Sequence, residues 1–204
     1  MSRFNTETAT TELRVMRGGT EEIKDPPRQG AALDILVSDA LTRYWIIDRP
    51  AGLANAAELD LYAADRFNTI FGDDPAAWAI RVDPVAGADR WLACAIPTLF
   101  AVDLPRAAAA RGWRPNRVQP HFVREFNRHC SDLGREAAFC VASRDSTTIG
   151  LIDNGKWCGI RVHPPLDRAS ASFGTLLRRD CRQAGITADG LLPVVVGSLR
   201  ESAK

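Results

Sequence analysis

Apolar positions change their spacing along this chain, and each change marks an element. Leu33 to Val37 is a short apolar run closed by Ser38-Asp39, and Arg43 to Asp48 (RYWIID) is a second, ended by Pro50. Both predict strands, since β-branched and aromatic residues dominate and turn formers bound them. From Asn55 to Phe71 the step lengthens. Leu59, Ala63, Phe67 and Ile70 recur every three or four residues, with Asn55 at a cap position and Gly72 at the end, which predicts an amphipathic helix. Trp78–Val82 and Trp91–Ala95 predict a strand pair around the turn at Asp83-Pro84 and Gly87. Thr98 to Arg111 predicts a helix that kinks or breaks at Pro105, because proline lacks an amide hydrogen and crowds the preceding turn.

Val118-Gln119 predicts a short strand end, and Pro120 opens a helix over His121–Leu133. Three strands follow, at Ala138–Ala142, Thr147–Ile152 and Trp157–Val162. A helix over Ser170–Ala184 closed by Gly185 and a last strand at Leu191–Val196 complete the order. Strand runs thus alternate with single helices, which predicts a mixed α/β protein with helices packed on sheets. Residues 1–30 are polar and rich in Thr, Glu, Gly and Pro. They read as a flexible N-terminal segment carrying a short edge strand at Leu13–Met16. No short-period repeat and no low-complexity segment interrupts this order.

Composition narrows the classes. With 204 residues, 46% of them apolar, the chain has enough material for one domain or two small lobes. A formal charge of +1 gives no overall reason to expect nucleic acid or a lipid surface. The five cysteines are odd in number and form no C-x-x-C pair, so reduced thiols in a cytoplasmic protein are expected. The N-terminus has no secretory apolar core, and the longest nearly apolar run, Trp91 to Val102, is too short to span a bilayer and contains Pro97.

Three stretches carry a resemblance. Leu33–Pro50 (LDILVSDALTRYWIIDRP) reads strand, polar break, Arg, strand, Pro. Leu92–Pro120 reads strand, long helix and a Gly-x-x-Pro segment, and Phe139–Val162 (FCVASRDSTTIGLIDNGKWCGIRV) reads as a hairpin with a small polar loop. Leu192 to Gly197 adds a strand running into a glycine. In this order they resemble the actin-like ATPase superfamily, and within it the cytoplasmic actin-like proteins of type IV pilus and type II secretion machines (the PilM and GspL families). The resemblance implies an actin-like, ribonuclease-H-like α/β fold with two small lobes of mixed sheet, over residues 31–120 and 121–204. It also implies a cytoplasmic scaffold that binds a short segment of a membrane-anchored assembly protein and is recruited by it to the inner membrane.

Where nucleotide-binding members carry Asp-x-Gly at the second hairpin, this chain reads Ala142-Ser143-Arg144, and no glycine appears before Gly150. The carboxylate that would hold a metal-bound water and the glycine that would let backbone approach phosphate are both missing from their places. At the first phosphate loop the only glycines are Gly18-Gly19, and Gly197-Ser198 stands where a Gly-Gly pair would cradle the adenosine side. A non-catalytic role follows as the expectation, with no cofactor. The alternative is an active ATPase or small-molecule kinase using ATP with Mg, in which Ser143, Asp145, Ser146 and Thr147 would contact the nucleotide. The same residues are also ordinary turn formers.

Other chemistry is sparse. His121, His129 and His163 show no zinc spacing, even counting Cys130, and read as surface or helix-end residues. Asp73-Asp74 is a carboxylate pair in a loop, expected to stay solvated rather than to bind metal. Between Arg106 and Arg135 seven arginines face only Glu125 and Asp132, with Trp113, Phe122 and Phe126 interleaved. Such a stretch is an internally paired or solvated face, a grip for an acidic protein segment, or a nucleic-acid surface. Arg114, Arg117, Arg124 and Trp113 are the expected partner-binding residues, with no nucleic acid. The five tryptophans lie mostly on predicted strands and are expected to fill the core.

Overall fold

The computed structural model describes residues 10–21, 30–52, 55–84, 88–166, 171–188, 191 and 193–197. β1 (Thr10–Met16) turns at Gly18 and Gly19, both at positive φ (105° and 149°), into the short β2 (Gly19–Glu21). β3 (Ala32–Val37) runs parallel to β1, pairing Leu13 with Ile35 and Val15 with Val37. The chain then leaves this sheet through a short turn at Asp39–Leu41 and forms β4 (Arg43–Asp48). α1 (Ala56–Phe71) begins where the Asn55 side chain accepts the Glu58 N–H at 3.0 Å and ends at Gly72, whose left-handed φ of 70° favours a residue without Cβ. β5 (Trp78–Asp83) and β6 (Arg90–Pro97) complete an antiparallel sheet in the order β4-β6-β5. Trp45, Ile47, Ala93 and Ala95 of that sheet close over Ala63 and Phe67 of α1.

The helix expected over Thr98–Arg111 is in two parts. Leu99–Asp103 winds as a π-helical turn, in which the Leu104 N–H reaches back to the Leu99 carbonyl. α2 (Leu104–Ala110) then starts beside Pro105. A widened turn makes room for a ring that has no N–H to give. β7 (Arg114–Pro120) returns parallel to β3 and finishes a first sheet in the order β2-β1-β3-β7. This corrects the reading of the first thirty residues. Residues 10–21 are two paired strands, and β1 lies inside its sheet, not at an edge. Residues 1–9 and 22–29 lie outside the described residues.

α3 (His121–His129) leads into the second lobe, made of β8 (Ala137–Ala142), β9 (Thr147–Asp153), β10 (Lys156–His163), α4 (Ala171–Ala184) and β11 (Pro193–Gly197). Its sheet has the order β10-β9-β8-β11, three antiparallel strands and a fourth that returns parallel to the first. Every residue of β8 is buried, because both faces of the sheet are covered, and that is why its sequence is an unbroken apolar run. One face meets Leu177 and Cys181 of α4. The other presents Phe139, Val141 and Trp157 to Phe122 of α3 and to Tyr44 and Leu92 of the small sheet.

At nine residues α3 is too short to persist alone. Phe122 and Phe126 anchor it, with ring centroids 5.5 and 5.7 Å from Phe139 and 6.1 and 4.9 Å from Trp157. Such pairs contribute about 0.5–1.5 kcal/mol each beyond their buried area. Four of the five tryptophans join core clusters, Trp45 and Trp157 buried and Trp78 and Trp113 half-buried, while Trp91 is buried under the Arg49 guanidinium.

Candidate functional site

Each large sheet opens with a hairpin, β1–β2 in the first lobe and β8–β9 in the second. Both hairpins border one cavity of about 450 Å³ between the lobes. Met16 and Arg14 line it from the first sheet, Ser143 to Asp145 from the second, and Arg124 and Arg128 from α3. It lies at the carboxyl ends of β1, β8 and β11, where α/β sheets present ligand sites.

The second turn is tied internally. The Ser143 N–H donates to the Ser146 carbonyl at 2.8 Å, the Ser146 N–H donates to Ser143 Oγ at 3.2 Å, and the two hydroxyls lie 2.9 Å apart. Asp145 is thereby aimed across the cleft. Its carboxylate accepts from the Arg17 N–H in the β1–β2 turn at 3.0 Å, from Ser38 Oγ at 2.7 and 2.8 Å, and from Ser143 Oγ at 2.9 Å. Partial burial pulls this carboxyl upward, but the hydrogen bonds from Arg17, Ser38 and Ser143 outweigh it and hold the group below the ordinary carboxylate value. The Arg17 amide of the first turn is therefore engaged by the chain's own anion. A second anion about 4 Å away would meet a repulsion of roughly 4 kcal/mol at an effective dielectric of about 20.

The arginines of the cavity are also engaged. Arg14 Nε lies 2.8 Å from Glu12, and Arg124 pairs with both Glu12 and the buried Glu125. Arg128 sits 3.3 Å from the same Glu125, and His121 Nε2 lies 3.8 Å from it.

Next to Ser38, Asp39 makes a second bridge between the lobes. It is 1% exposed and accepts from Tyr44 Oη at 2.5 Å, the Phe122 N–H at 3.0 Å and Thr148 Oγ1 at 3.0 Å. One carboxylate thus joins the β3–β4 turn, the start of α3 and β9. Burial pushes its pKa above the ordinary value, against the pull of the Tyr44 and Phe122 hydrogen bonds.

Of the residues expected at a nucleotide, Ser143, Asp145 and Ser146 share this network. Thr147 is fully buried, does not line the cavity, and accepts the Leu166 N–H at 3.2 Å. Gly197 has a structural duty: its φ is 93°, and a Cβ there would sit 2.2 Å from the Ala142 carbonyl oxygen. Ser198 lies outside the described residues.

The residues expected to bind a partner are not brought to one surface. Arg114 and Arg117 are exposed on β7, Arg114 Nε donating to the Gly30 carbonyl at 2.9 Å. Trp113 packs on the core beside β1 and β3, and Arg124, its side chain 13% exposed, is an internal ion-pair partner. Asp73 lies 3.5 Å from Arg43, and Asp74 accepts the Ala76 N–H at 3.0 Å.

Sequence reasoning missed Arg17, Ser38, Asp39 and Glu125 as cleft residues. It also misplaced His163, which is buried with its Nε2 2.6 Å from Asp180 Oδ2, not at the surface. The one available signal was Ser38-Asp39 itself, a polar pair set inside an apolar stretch.

No protein-family model matches the chain, and no curated protein matches it in sequence. Solved structures do match. The chain is similar to the cytoplasmic domain of EpsL, an inner membrane component of the type II secretion system of Vibrio cholerae. The TM-score is 0.56 and the identity 11%, over 95% of this chain and 86% of that one. It is similar to a Bacteroides thetaiotaomicron protein of actin-like ATPase fold and unknown function at TM-score 0.55 and 10% identity, over 98% and 86%. It overlaps the PilM-PilN type IV pilus biogenesis complex at TM-score 0.48 and 13% identity, over 74% and 48%, too weakly to bear on the fold. The chain has the actin-like ATPase fold.

Proposed function

We propose that this chain is a non-catalytic actin-like scaffold of a type IV pilus or type II secretion-like assembly. On this reading it is cytoplasmic and binds a short segment of a membrane-anchored partner, which recruits it to the inner membrane. The observation that supports the loss of catalysis is Asp145. A working phosphate cleft keeps its turn amides and hydroxyls for the nucleotide, whereas here a carboxylate accepts from Arg17, Ser38 and Ser143. The pilus or secretion setting draws on the likeness in fold to the cytoplasmic domain of an inner membrane component. Among the described residues no helix is long and apolar enough to cross a membrane, which suits recruitment by a partner.

The second reading, an ATPase or small-molecule kinase using Mg-ATP, is favoured by the arginine-lined cavity. The two part in one experiment. Labelled cytoplasmic tails of inner-membrane pilus and secretion proteins from the same genome are titrated with the purified chain, and Mg-ATP is titrated in parallel. Saturable binding of a tail with no binding of Mg-ATP is expected. Binding of Mg-ATP with no tail bound at any concentration would overturn the scaffold reading in favour of the enzyme.

A further inference from the structure

A second cavity, also about 450 Å³, lies between the β4 end of the small sheet and β10. Tyr44, Phe71, Ile160 and Val162 give it apolar walls, and Ile70, 45% exposed, carries that surface out to solvent. Arg43, Arg161 and Arg179 surround it. Arg161 Nε lies 3.8 Å and Arg179 Nη2 3.5 Å from Asp180 Oδ1, yet that oxygen, on a side chain 1% exposed, accepts no hydrogen bond. Arg43 Nε lies 3.5 Å from Asp73 Oδ2, which likewise accepts none. Three guanidinium forks are therefore held in place by charge while their N–H donors remain unused by these carboxylates. Among the described residues these three arginines pair only with Asp73 and Asp180, three cations against two carboxylates.

We propose that this cavity is a binding site for a carboxylate borne next to an apolar side chain, supplied by an acidic–aliphatic polypeptide segment. A planar fork of donors matches a carboxylate in two-point contact, which a point charge such as lysine does not. The unmatched charge calls for a monoanion, and the apolar walls call for a flanking aliphatic group. Ile70 extends the apolar surface beyond the cavity mouth, which suits a polypeptide that continues over the rim. The identity of the donor rests on the scaffold reading: it is the partner's segment. The cavity's chemistry does not.

The test follows the His163 ring, on the cavity wall, and the Ile70 and Ile160 methyls by NMR. The probe is acetylated leucyl-glutamyl-leucine amide, with its glutamine counterpart and free glutarate as controls. The acidic peptide should move these signals saturably, at least tenfold more tightly than the glutamine peptide. Arg161→Gln with Arg179→Gln should abolish the effect. Both side chains are about half-exposed, and Arg179→Gln alone, expected to weaken binding several-fold, serves if the double variant does not fold. No movement of the signals, or equal binding of the glutamine peptide, would overturn the site. Glutarate binding as tightly as the peptide would overturn the polypeptide occupant. If a partner tail binds the wild type and the double variant alike, the site fails and the scaffold reading stands. If the acidic peptide binds here but no tail does, the scaffold reading fails and the site stands.

Discussion

A carboxylate that accepts hydrogen bonds from a backbone amide and two hydroxyls is favoured in its ionised form, and Asp145 is such a group. Its folded-state pKa is lowered, so its contribution is complete above the ordinary value of 3.8 and is lost as pH falls through the lower folded-state value. Asp145→Asn should therefore destabilise the protein near neutral pH, and the gap to wild type in urea unfolding should close well below 3.8. A gap that does not change with pH would show that the charge does not matter. Asp39 titrates the other way. Burial raises its pKa, so stability falls as pH rises from 3.8 through the raised value. Asp39→Ala removes the acceptor for Tyr44, Phe122 and Thr148 at once. Buried donors left unpaired cost about 1–3 kcal/mol each, so a loss of roughly 3 kcal/mol or more in urea unfolding is expected. Ser143, Asp145 and Ser146 were legible in the sequence because they form one local turn. Ser38 was not, since its partner Asp145 is 107 residues away and no local pattern encodes such a pair.

Elements met their expected places where apolar spacing was strong. β8, β9, α1 and α4 fall close to their expected spans, since each buries a regular face or a continuous run. β7 was seen only at Val118-Gln119, because Arg114, Pro115, Asn116 and Arg117 hide a strand whose backbone nonetheless pairs with β3. β1 was under-read for a similar reason: Glu12 and Arg14 face α3 and the cleft, where Glu12 pairs with both Arg124 and Arg14. Packing between α3 and the second sheet is tight enough to test with one methyl. A Cβ at Gly150 would lie 2.6 Å from Phe122 Cζ and 2.8 Å from Trp157 Cζ3. Gly150 does not need a left-handed backbone, so the effect of Gly150→Ala is overpacking alone. It should destabilise by about 1–3 kcal/mol in chemical denaturation. An unchanged midpoint would mean that α3 is not seated against β9 as described.

At the scale of the molecule, the two lobes are joined at Ser38 and Asp39, one bonded to the second hairpin and the other to β9 and α3. The order of strands and helices from Leu33 onward was readable from the sequence, and it led to the actin-like fold that the solved structures share. Which strands pair across long separations was not, as the parallel pairing of β1 with β3 shows. That joint places an internal anion between the two hairpins, and the proposed non-catalytic role depends on it. Thermal unfolding of the wild-type chain with and without Mg-ATP tests this most directly. A nucleotide at a hundred times its dissociation constant stabilises by about 2.7 kcal/mol, or roughly 5 to 10 °C in Tm for a chain of this size. The same Tm in both conditions is the predicted result; a rise of that size, saturating with Mg-ATP, would contradict it.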